Sequence, residues 1–177
     1  MAEAVGRLRS AGIPLAKVQL SSALVAVPGP AQRELLAQYW ADARWSHQVV
    51  ARDADGRLVH HDDLPVALAA AADAAAAGRP PDREWRIHFH VPIHAARLGA
   101  SSRDSPELGT TQAQLAELLA LVAGAGVTPH LEIETYSFDA VPQAERRALR
   151  ADTLVDGLAA EFEWVLDRLC IPRGGSR

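Results

Sequence analysis

The stretch RIHFHVPIH, Arg86 to His94, places three of the chain's seven histidines within one short run. Side chains alternate across an extended strand, so His88 and His90 share a face. The preceding residues, Glu84 and Trp85, extend the pattern into a strand, EWRIHFHV. A strand that carries imidazoles on one face is not a strand buried on both. The strands of an open, doubly wound parallel sheet read as near-continuous apolar runs. The question is therefore what kind of sheet tolerates polar side chains in a regular set.

The neighbouring elements repeat the feature. LAKVQLS, from Leu15 to Ser21, alternates and reads as a strand with Lys17, Gln19 and Ser21 on one face. HQVVARD, from His47 to Asp53, is a second strand, and DADG after it is a turn. PHLEIETYSF is a fourth, with His130, Glu132 and Glu134 in alternation. Helices fall between them. GPAQRELLAQYW opens with Pro30 in its first turn, where the missing N–H costs little. DDLPVALAAAADAAAAG has acidic residues at its start and Gly78 at its end. TTQAQLAELLALVAGAG carries Leu115, Leu118, Leu119 and Val122 on one side. The last helix, about 153–169, sets Leu154, Leu158, Phe162, Val165 and Leu169 at helical spacing. The first, about 3–11, ends at Gly12 and Pro14. AARLGASSRDSPELG reads as a long polar loop, a type that is usually functional.

Alternating strands and helices argue β/α units around a parallel sheet. Polar residues turned inward on successive parallel strands fit the mouth of a β/α barrel, where sites form at the C-terminal strand ends. Four strands make half of such a barrel, which typically needs about 250 residues. The expectation is one α/β domain over 1–171, about four strands of a barrel, with a disordered tail at 172–177.

Composition narrows the partners. The chain has 177 residues, a net charge of −4, and Lys17 as its only lysine. An acidic balance argues against nucleic acid and anionic membrane surfaces. The single cysteine, Cys170, excludes an internal disulfide or a thiolate metal cluster and fits a cytoplasmic setting. No run of about 18 apolar residues is present, so no membrane span is expected.

KVQLSSAL, HQVVARDADG, DDLP, WRIHFHVPI and HLEIETYSFD, in that order, resemble the C-terminal half of the EboE family of metabolite traffic proteins. The resemblance runs over about 13–169. It implies a xylose isomerase-like TIM barrel, a small-molecule metabolite, and partners encoded in the ebo gene cluster. It also implies that the other four strands come from an N-terminal half or a second copy that closes the barrel. The wider superfamily binds a divalent metal through acidic and histidine residues on late strands. Glu134 then matches the last-strand glutamate, and His88 or His90 the ligands before it. Gln19 stands where a glutamate is common, which weakens the implied metal site.

Each candidate has a plainer alternative. His47, His90 and Glu134 form an expected metal trio for Zn, Mn, Fe or Co; His47 could instead cap the sheet. His88, Glu132 and Lys17 are candidate acid/base groups. Against that, Lys17 and Glu132 could simply pair, and the two histidines could be bonded to backbone. Gln19, Ser21, His94 and Tyr136 are candidate substrate contacts, with Asp139 beside Tyr136 in the same loop. His94, beyond Pro92, could equally be a loop residue. The run His60, His61, Asp62, Asp63 looks metal-binding by composition, but an aspartate there is expected to cap the following helix. Two functions remain open: metabolite binding and traffic, or a metal-dependent sugar isomerase, epimerase or hydrolase.

Overall fold

The computed structural model describes residues 2–39, 46–99, 106–124, 129–134, 141, 143–149 and 151–171. Its elements are α1 (Ala2–Ser10), β1 (Lys17–Leu20), β2 (Ser22–Ala26), α2 (Pro30–Tyr39), β3 (Val49–Arg52), β4 (Leu58–His61), α3 (Leu64–Ala76), β5 (Glu84–Val91), β6 (Arg97–Leu98), β7 (Leu108–Thr110), α4 (Gln112–Gly124), β8 (His130–Ile133), α5 (Gln143–Ala148) and α6 (Leu154–Arg168). Six strands form one sheet in the order β4-β3-β5-β2-β7-β6, and β1 pairs with β8 in a second, two-stranded sheet. Every neighbouring pair of the large sheet is antiparallel. Only β1 and β8 run parallel.

This overturns the expected half barrel. The described strands close no barrel, and the main sheet is antiparallel. The reason is strand parity. Short strands hidden in presumed turns and loops reverse or extend the chain. LVHH folds back on β3 as β4, through the turn at Asp53 to Arg57. SALVA continues past Ser21 as β2, and the supposed long loop contains β6 and β7. β2 and β3 each run antiparallel to the β5 strand between them, so α2 joins two parallel strands across a third. β4 and β5 are likewise separated by β3 and joined by α3. The result is two interlocked split β-α-β units with local hairpins added.

One face of the large sheet packs on helices. Leu24, Ala26, Val49, Ala51, Trp85 and Ile87 share that face by register, and all are fully buried with Leu36 of α2 and Leu64 and Ala67 of α3. Asp63 caps α3, accepting from Leu64 N–H at 2.8 Å, as the helix-start pattern predicts. The other face stays open: Arg52, Arg86, His88, Leu58 and His60 are exposed. Antiparallel sheets commonly solvate one face, and this explains a polar set that mimics a barrel interior.

The small sheet packs differently. Leu20, Leu115, Leu118, Leu119, Val122, Val165 and Ile93 form a second buried cluster, with Val18, Leu131 and Ile133 against it. α6 is set by a capping box in which Thr153 and Asp156 each satisfy the other's backbone. The chain runs from β1 into β2 through Ser21, so one extended segment serves both sheets.

Candidate functional site

The two sheets meet where β5 ends. Glu134 N–H, just past β8, donates to the Leu20 carbonyl at 3.0 Å, which brings Glu134 beside His90. His90 is 6% exposed, and its Nδ1 lies 3.3 Å from the Glu134 carbonyl and 3.7 Å from its carboxylate. Its Nε2 lies 3.0 Å from Nε2 of the exposed His88, the two rings tilted by 32°. Thus three residues singled out from the sequence, His88, His90 and Glu134, do converge.

The donor pattern follows from the acceptors. A carbonyl can only accept, so His90 Nδ1 carries the proton and donates to Glu134. Neutral His90 then has a bare Nε2, which accepts from His88 Nε2–H. Neutral His88 is left with a bare Nδ1 as an acceptor. Burial pushes the His90 pKa down, the Glu134 carboxylate pulls it back up, and neighbouring His88 lowers it again. Burial thus favours the neutral form of the His90 ring.

The other expected participants lie elsewhere. His47 stands opposite Phe89, on the face away from His88 and His90, because antiparallel partners share a face. Its ring stacks on Phe89 with centroids 3.5 Å apart, its Nδ1 meets the His88 carbonyl at 3.3 Å, and its N–H donates to Asp63 at 2.8 Å. The expected metal trio of His47, His90 and Glu134 is therefore not assembled. Among the described residues no group of three or more His, Cys, Asp or Glu is placed to hold a metal ion. The described residues do not fit the implied divalent centre.

Lys17 and Glu132 form an ion pair in the small sheet, each about half exposed. This is the plainer reading of both, and water screens so exposed a pair. The Lys17 hydrogen bond, and then its charge, hold the Glu132 carboxyl below its usual range. Gln19 is exposed beside Glu132 in register, and Ser21 sits half-buried where β1 passes into β2. The polar face of β1 and β8 thus points to solvent, not into a barrel. His94 belongs to the loop after β5, with both ring nitrogens buried near the Leu149 backbone; burial lowers its pKa and the Leu149 backbone raises it. Tyr136 and Asp139 lie outside the described residues.

Two carboxylates that the sequence reading passed over support this corner. Glu161 of α6 is 1% exposed and accepts from Ile93 N–H at 2.9 Å. Glu145 of α5 is 7% exposed and accepts from Gly99 N–H at 2.8 Å. Together they hold Ile93, just past β5, and Gly99, just past β6. Glu161 was findable: Gly157, Glu161 and Val165 are one helical stripe, and a glutamate at a core-spaced position needs a partner. Glu145, on a six-residue helix, has no such periodic signal.

Comparison of the chain with protein-family models, with curated proteins and with solved structures finds no match. No helix among the described residues is long and apolar enough to cross a membrane.

Proposed function

We propose that the chain binds a hydroxyl-bearing small metabolite at the corner between the two sheets, with His88 as the contacting group. The observation that carries this reading is the Nε2–Nε2 approach of 3.0 Å between exposed His88 and buried His90. That arrangement fixes the His88 tautomer and leaves Nδ1 to accept a hydrogen bond or a proton from a ligand hydroxyl. Glu134 positions His90, and Glu145 and Glu161 keep the adjoining loop in place. The EboE resemblance supports a traffic or processing role in the cytoplasm beside other ebo-cluster proteins, without the barrel that the resemblance implied.

The test is histidine-ring NMR of the whole chain against pentoses, hexoses and inositol. Binding at this corner moves the His88 ring resonances saturably and is lost in His88→Phe. If none of these polyols perturbs His88 or His90, the reading fails.

A further inference from the structure

On the opposite face of the large sheet lies a cavity of about 560 Å³, between α3, β4 and the loop before β5. It is a separate place from the His88 corner. Val59 and His61 line it, and by register they share the face of Ala51 and Trp85, not that of His88. Its size falls within the range of small-molecule sites. The walls are apolar and stiff. Ala71 and Ala74 on α3 present only methyl groups, and Pro30 and Pro80 close the rim. Rigid walls reduce the entropy lost on binding.

The polar groups are unequal. Arg33 is half-buried, and its Nη1 donates to the Ala71 carbonyl at 3.0 Å, which fixes the guanidinium against the cavity wall. Among the described residues no carboxylate lies within ion-pair distance of Arg33 or of Arg79 at the rim. Of the lining carboxylates, Asp53 is engaged by the Asp55 and Arg57 N–H groups and Asp82 by the Trp85 indole. Asp73 is exposed and solvated. A partly desolvated cation at an apolar wall is the group that gains most from a counter-charge.

We infer that this cavity binds an organic carboxylate with an apolar body, of the medium-chain alkyl class. The carboxylate pairs with Arg33, and the chain lies along Val59, Ala71 and Ala74. Octanoate and octylamine, titrated into the labelled full chain by NMR, test it. Octanoate shifts the backbone amides of Val59 and residues 70–75 saturably. Arg33→Gln weakens it about tenfold or more, and Ala74→Leu, which fills the space, removes it while unfolding stays cooperative. Three results overturn the assignment: no saturable octanoate shift up to about 10 mM, affinity unchanged in Arg33→Gln, or octylamine binding there more tightly than octanoate.

Discussion

At His90, two neighbours pull in opposite directions, and this makes their roles separable. Glu134 raises its pKa and His88 lowers it, while burial lowers it most. Glu134→Gln removes a favourable charge, so the His90 pKa falls further. His88→Ala removes an unfavourable one, so it rises. Ring-carbon NMR titration reads both, and opposite shifts in the two variants are the expected outcome. Glu161 offers a stability test on the same corner. Glu161→Leu leaves the Ile93 N–H buried without its acceptor, and urea unfolding should show a loss of about 1–3 kcal/mol.

Among the elements, Gly99 directly follows β6. Gly99 has φ +98, and a Cβ there would stand 2.7 Å from the Pro106 carbonyl oxygen. Gly99→Ala therefore meets both a disfavoured backbone region and a backbone clash. A loss of about 2 kcal/mol or more is expected by chemical denaturation. Asp63 ties two elements at once, accepting from Leu64 N–H at the start of α3 and from His47 N–H ahead of β3. Asp63→Ala should cost about 1–2 kcal/mol, more than an ordinary cap at the low end of the range. Exchange of the His47 amide with solvent should accelerate in the same variant.

For the whole molecule, pH is the expected global variable. Burial lowers the pKa of both His90 and His94 from the ordinary 6.5. The unfolded chain then binds more protons than the folded one below that value, so stability is full above about pH 6.5. It is lost as pH falls from there through the two folded-state values. Urea midpoints measured between about pH 7.5 and about pH 5 should therefore decline with acid. His94 packs the loop after β5 near the end of α5, with its ring nitrogens buried. His94→Leu should reduce the acid-side decline, because it removes one of the two groups whose pKa burial lowers.

Local signals on the chain determined where many elements lie. Alternation marked β5, Asp63 and the acidic start marked α3, and the spacing of Leu115, Leu118, Leu119 and Val122 marked the buried side of α4. The sharing of one face by His88 and His90 followed from period two alone. Strand direction did not follow, because LVHH, SALVA and LGT are too short to show a period, yet each reverses or extends the chain. Nor did the partner of each polar face, since a solvated antiparallel face and a barrel interior produce the same alternation. Only the tertiary structure decided that His47 lies across the sheet from His90, that Glu134 reaches His90 from a second sheet, and that Glu145 and Glu161 hold the loop between them. Those contacts join residues 40 to 70 positions apart, where pairing is set by which surfaces pack and not by any local preference of the chain.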